Sequence, residues 1–266
     1  MTRFSQSVCE LVHRMNTRTF RRVGRSAIVL QLLANTGSYA LAQTTTQPRW
    51  SIAPRDWKTK IVDDVGRGPA ELASTRNLRT VLPKLVFRSG VSRKLPTGSA
   101  FPEKALTALC RAGIEKVIFI YSPPLPAASA SCQRDGHGMR LAYEQALVMR
   151  RNDAARKRVF ATIHAEILAP EPKLILLHDF AGRHAAGFLA ALVLRQFCRT
   201  NGPIAQQYWL DTSDKILVAS QASILWRIEH FEPYPEWNLD EAHRQAHCPA
   251  EALPHPTIPT KASSSS

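Results

Sequence analysis

His178, Asp179, Arg183 and His184 stand within one short run, Lys173 to Gly187, that reads KLILLHDFAGRHAAG. The apolar residues up to His178 predict a buried strand, Gly182 and Gly187 punctuate a short loop, and a long apolar helix runs on to about Cys198. A strand that feeds through a tight loop into a helix N-terminus turns free backbone N–H groups and the positive helix end toward one point. The chemistry of such a junction is the holding of an anion. A second chemistry is open to the same residues. His178, Asp179 and His184 are metal-ligating types, and Asp179 can serve as a general base, so a hydrolase of phosphorylated substrates working through a metal or a carboxylate is the alternative reading.

Residue by residue, His178-Asp179-Phe180-Ala181-Gly182-Arg183-His184-Ala185-Ala186-Gly187 resembles the signature loop of the cysteine-dependent protein phosphatases, in particular the dual-specificity and bacterial tyrosine-phosphatase-like branch. That signature is His-Cys, two residues, Gly, two residues, Arg, Ser or Thr, Gly. His178, Gly182 and Gly187 are in register with it. Asp179 stands at the nucleophile position, Ala185 at the phosphate-clamping arginine position and Ala186 at the hydroxyl position. Two further blocks resemble the same family in order and spacing. Leu85-Val86-Phe87-Arg88-Ser89-Gly90 is similar to its early strand end, and Gly113 to Ile120, after an amphipathic helix over Phe101–Ala112, is similar to its helix-to-strand turn. The resemblance covers roughly residues 75 to 230. It implies an α/β fold in one domain, a dual-specificity-phosphatase-like central mostly parallel sheet flanked by helices.

What the resemblance implies about activity follows from the losses. A cysteine phosphatase attacks phosphorus with a thiolate whose pKa is lowered by a helix N-terminus. Asp179 forms no thiophosphate, and its carboxylate repels an incoming phosphate dianion. Alanine at 185 offers no planar fork for two phosphate oxygens. Arg183 lies two residues too early and leaves the loop in another direction. The expectation is a catalytically inactive pseudophosphatase with no catalytic residue, kept as a binding or scaffolding module for an unknown protein or anionic ligand. In the family the histidine equivalent to His178 braces the loop by hydrogen bonds, a role that competes with metal ligation here. The family's general acid is an aspartate on a mobile loop. Asp135 and Asp153 are its available counterparts, and with no cysteine to serve each reads as an ordinary surface or capping residue.

The elements around the loop are read from pattern. Asn152-Asp153 reads as the N-cap of a helix over Ala154–Leu168. Tyr121 to Gly138, rich in Pro, Ala and Ser, reads as a long surface loop. Met139–Tyr143 is the next strand, its continuation into Glu144–Met149 reading as strand or helix. Helices follow around Ile204–Leu210 and Ser213–Arg227, and Trp209, Trp226 and Trp237 read as core packing.

The front of the chain holds six arginines (Arg3, Arg14, Arg18, Arg21, Arg22, Arg25) against Glu10, then the apolar run Ala27–Ala34 and Ala40-Leu41-Ala42. This reads as a secretory signal peptide, residues 1–42, cleaved after Ala42 and starting at Met1 or Met15. It places the protein in the periplasm or outside the cell, with no transmembrane segment in the mature chain. Residues 43–74 form an N-terminal extension, 75–238 the phosphatase-like domain and 239–266 a disordered tail. Formal net charge is +14, and 29 basic against 20 acidic residues remain beyond Ala42. Without aromatic interleaving or a binding motif the charge does not predict a nucleic-acid partner, and no cofactor is expected. His243, His247 and Cys248 lack a four-ligand spacing, so no metal is expected there either. Cys110, Cys132, Cys198 and Cys248 allow three pairings in an oxidising compartment. Cys132 and Cys248, in the looser segments, are the favoured pair, leaving Cys110 and Cys198 as buried thiols.

Overall fold

The computed structural model describes residues 48–52, 56–95, 100–121, 128–149, 153–213 and 221–253. The expected signal peptide, with its cleavage site and both candidate starts, lies outside them, as do residues 254–266.

Among the described residues, six strands make one mixed sheet: β1 (Thr75–Leu82), β2 (Val86–Val91), β3 (Ile114–Phe119), β4 (Ala128–Arg134), β5 (His137–Gln145) and β6 (Leu174–Asp179). Their order across the sheet is β1-β2-β6-β3-β5-β4. The four inner strands β2, β6, β3 and β5 run parallel, and an antiparallel strand closes each edge. Parallel strands are buried on both faces, which is why β6 reads as an unbroken apolar run. Helix α1 (Glu103–Arg111) covers one face, over a core that includes Phe87, Leu109, Phe119 and Leu176. Four helices cover the other: α2 (Asp153–Ile167), α3 (His184–Cys198), α4 (Gly202–Thr212) and α5 (Gln221–Glu229), around Phe160, Phe188, Tyr208 and Trp209. Among the described residues no helix is long and apolar enough to cross a membrane.

The expected helices over Phe101–Ala112 and Ala154–Leu168, the strand before the loop and the helix to Cys198 are all present. Three expectations are corrected here and one left open, the course of Glu144–Gln145, is decided. The segment Tyr121–Gly138 holds edge strand β4, joined to β5 by a tight turn in which Asp135 (φ 51°) and Gly136 (φ 79°) both take the left-handed conformation that a two-residue hairpin requires. Met139–Gln145 continues as strand. The stretch read as the start of a disordered tail is folded. Leu239 and Cys248 are buried, α6 (Glu241–His247) lies between them, and the Thr200 hydroxyl donates to the Ala252 carbonyl at 2.9 Å. Trp226 is exposed, while Trp209 is buried as expected and Trp237 packs half-buried against the core.

The disulfides are Cys110–Cys132, tying α1 to β4, and Cys198–Cys248, tying the end of α3 to the residue after α6. The expected Cys132–Cys248 pair fails because the two cysteines lie on opposite sides of the sheet. Trp50 and Trp57, in the expected N-terminal extension, are both core residues, and Trp50 donates its indole N–H to the Ala112 carbonyl at 2.9 Å.

Candidate functional site

Strand β6 delivers His178 and Asp179 to the carboxyl end of the sheet, and because successive strand residues point to opposite faces, the two side chains part there. Asp179 turns toward α3. Its Oδ1 accepts the backbone N–H groups of Ala181 (2.8 Å) and Gly182, and its Oδ2 accepts that of Ala186 at 2.9 Å. Ala186 is in the first turn of α3, whose N-terminal N–H groups have no helical partner of their own. The N-cap residue Arg183 supplies no capping side chain, so Asp179 caps the helix from upstream. The amides that would hold an anion already hold one, and it is the chain's own carboxylate.

His178 is fully buried on the α1 face. Its ring lies 4.5 Å from that of Phe101, 5.0 Å from Phe119 and 5.5 Å from Tyr143, and Nε2 is 3.1 Å from the Tyr143 hydroxyl. Burial among these rings drives the imidazole pKa down to about 3, opposed only by a contact with the Asp179 backbone. Burial likewise pushes the Tyr143 hydroxyl up to about 12. His178 is a neutral packing residue that hydrogen-bonds toward β5.

The alternative set of His178, Asp179 and His184 therefore does not assemble. His178 and Asp179 face opposite sides of the sheet, and both oxygens of Asp179 are engaged by backbone amides. His184 opens α3 with its backbone carbonyl accepting the Trp209 indole N–H at 3.2 Å. Among the described residues, no three His, Cys, Asp or Glu side chains gather as a metal set. Ala185 and Ala186 are buried beneath the loop and present no polar group to it. Arg183 is mostly buried and pairs through Nη2 with Asp64 Oδ1 at 2.9 Å.

The loop is held from behind by residues with no role assigned from the sequence. Residue 181 bridges to Gly90 of β2, and Val91 donates its N–H to the Phe180 carbonyl at 3.3 Å. Asn77 interrupts β1 with a left-handed φ of 49° at a shift in pairing register, and its amide donates to the Gly182 carbonyl at 3.1 Å. Arg88 is fully buried and donates to the same carbonyl, to the Tyr208 hydroxyl at 2.9 Å and to the Thr212 carbonyl at 3.0 Å. All three acceptors are neutral. The visible signal was an arginine inside the apolar run Leu85–Val91, since arginine is almost never fully buried without partners. Gly187 leaves room for Arg88 and Trp209, because a Cβ there would lie 3.2 Å from Trp209 and 3.6 Å from the Arg88 guanidinium.

Of the two aspartates weighed as general acids, Asp135 is the hairpin-turn residue. Asp153 opens α2, where the Tyr234 hydroxyl and Arg156 bond to it and hold its carboxyl below the usual range.

No family model matches the chain, and no curated protein matches it. Among solved structures, the core catalytic domain of the PP-IP phosphatase SIW14 from S. cerevisiae, in complex with citrate, is similar at 14% identity with a TM-score of 0.38. The match covers 59% of this chain and 86% of that one.

Proposed function

We propose that this chain is a phosphatase-like protein that has lost phosphoryl transfer and serves as a binding or scaffolding module in the cell envelope. The observation that carries the reading is the carboxylate of Asp179 on the N–H groups of Ala181, Gly182 and Ala186. It puts at the nucleophile position a carboxylate, which forms no thiophosphate and is already engaged by the loop amides, and it fills the cradle with negative charge. Ala185 leaves the loop without an arginine at the position that grips phosphate in the family it resembles. Two paired disulfides support an oxidising compartment, in keeping with the leader-like residues 1–42.

The test is phosphate release from an aryl phosphate by the mature protein, beside Asp179→Cys and Asp179→Cys/Ala185→Arg, each with and without divalent metal and chelator. No turnover by the native chain is expected. Turnover emerging in the double variant supports a disarmed cradle, and chelator-sensitive turnover by the native chain overturns the reading in favour of a metal hydrolase.

A further inference from the structure

Large apolar side chains are exposed at five described positions, and three of them lie at the carboxyl end of the sheet around the closed loop: Val65 (57%), Tyr121 (49%) and Phe180 (51%). Phe180 is the loop residue after Asp179. Tyr121 ends two residues beyond Phe119, which is level with His178, and so comes level with Phe180 on the neighbouring strand. Val65 follows Asp64, which Arg183 binds at 2.9 Å, so the 63–66 turn is fastened beside the loop. Gly66 in that turn lies against Thr75 of β1 and Ser92 at the end of β2.

A cation lies against Phe180. The Arg76 guanidinium lies 4.9 Å from the centre of the Phe180 ring and donates to the Phe180 carbonyl at 2.9 Å. Arg93 and Lys94 are exposed just past β2. Arg93 and Arg183 both act on Arg76, whose pKa falls through burial first and then through their repulsion. Of the carboxylates at this end, Asp63 accepts the backbone N–H groups of Val65 and Arg67, Asp64 binds Lys60 and Arg183, and Asp179 holds the loop amides. A recess of about 370 Å³ lies elsewhere, on the α1 face by Phe101, Leu106 and Tyr143. Phe180 and Tyr121 are the exposed rings at this end of the sheet, with Val65 on the turn that Arg183 holds beside the loop.

We infer that this rim is a docking surface for an acidic, apolar-containing segment of a protein partner, with Phe180 and Val65 as the apolar contacts and the exposed Arg93 and Lys94 setting the charge. The inference rests on the reading above, because an open catalytic cradle would need this mouth clear for substrate. Charge complementarity selects the partner: the exposed cations Arg93 and Lys94 gain by meeting carboxylates and repel basic segments. An aromatic packed beside guanidinium groups is the composition that dominates binding energy at protein interfaces.

The probe is a fluorescein-labelled peptide of alternating Glu and Leu, read by anisotropy against the mature protein, with an all-Glu peptide of equal charge for comparison. The Glu–Leu peptide is expected to bind more tightly than all-Glu. Phe180→Ala and Arg93→Glu are each expected to weaken it by about fivefold or more, with unchanged melting temperature. Arg158→Glu makes the same change in net charge on the exposed face of α2 and is expected to have less effect. Equal weakening by Arg158→Glu means diffuse charge and overturns the proposal, as does competition by millimolar inorganic phosphate, which would mark a small-anion site. Aryl-phosphate turnover by the same preparation sinks the parent reading and this one with it. Without turnover, indifference of the peptide to Phe180→Ala and Arg93→Glu sinks this one alone.

Discussion

Asp179 Oδ2 accepts the backbone N–H of Ala186 at 2.9 Å, so a carboxylate at the end of β6 reaches across the loop and caps the helix that begins five residues on. Side chain, loop amides and helix end form one closed electrostatic unit, in which the negative charge that favours a helix N-terminus is supplied internally.

Removing that charge is expected to be costly and partly reversible. Asp179→Ala leaves the amides of Ala181, Gly182 and Ala186 without their acceptor, and charge-assisted bonds of this kind contribute about 1.5–3 kcal/mol in net terms. We expect a loss of about 2–3 kcal/mol in urea denaturation, with part of it restored by millimolar phosphate or sulfate entering the emptied cradle. The native protein should show no such recovery. Equal responses of the two to phosphate would show that the carboxylate does not occupy the cradle.

Gly90 and Gly182 are expected to resist substitution for a shared reason. A Cβ on Gly182 would lie 2.2 Å from the Gly90 nitrogen, and one on Gly90 would lie 2.3 Å from the carbonyl carbon of Ala181. Gly182 also has a φ of 70°. Backbone opposes backbone, so neither clash is relieved by a rotamer change. Alanine at either position is expected to cost about 2–4 kcal/mol by equilibrium denaturation. Gly136→Ala is the control. Its φ is 79° but nothing lies within 4 Å, so only the conformational cost of about 1 kcal/mol applies.

Why part of this was legible in the sequence and part was not follows from the range of each interaction. The β6–loop–α3 unit is local. Its apolar run, its glycines and its helix are written within residues 173–198, and Asp179 could be placed at the loop entrance from register alone. That the same Asp179 fills the loop was not legible, because a repelling carboxylate and a capping one are the same residue until the amides are positioned. Asn77, Arg88 and Asp64 reach the loop from 94 to 119 residues away, and no spacing rule joins such distances. The β4 edge strand was hidden by Ser, Ala and Pro, a composition that suits an exposed edge as well as a loop. The folded tail was not legible because residues 239–253 are held by Cys198 and Thr200, partners supplied by α3 and the segment after it.

His178 gives the fold a pH dependence whose sign is fixed by burial. Its folded pKa, about 3, lies below the unfolded value near 6.5. Protons therefore bind the unfolded chain first as pH falls, so its contribution is fully present above about pH 6.5 and is lost progressively toward pH 3. The slope approaches about 1.4 kcal/mol per pH unit well inside that window. His164 and His247 are also depressed by burial and add smaller effects of the same sign. His178→Phe, which keeps a ring among Phe101, Phe119 and Tyr143, is expected to flatten the dependence of urea midpoint on pH between 6.5 and 4. An unchanged slope would mean that His178 takes up its proton in the folded chain.

The Cys198–Cys248 bond is expected to matter more to stability than the Cys110–Cys132 bond. It closes a loop of 50 residues where the other closes 22, and in the chain-entropy account these contribute about 4 and about 3 kcal/mol. Topology adds to the difference. Cys198 and Cys248 join the buried end of α3 to a segment that is otherwise secured by the Thr200–Ala252 bond and a few apolar contacts, including Leu239 and Ala252. Cys110 and Cys132 instead join a helix and a strand already fixed by the sheet and core. Serine at Cys198 and Cys248 should therefore expose residues 239–253 to proteolysis under native conditions as well as lower the melting temperature. Serine at Cys110 and Cys132 should lower the melting temperature without that cleavage. Limited proteolysis with mass spectrometry distinguishes the two, and a C-terminal segment protected equally in both variants would show that α6 docks without its covalent tie.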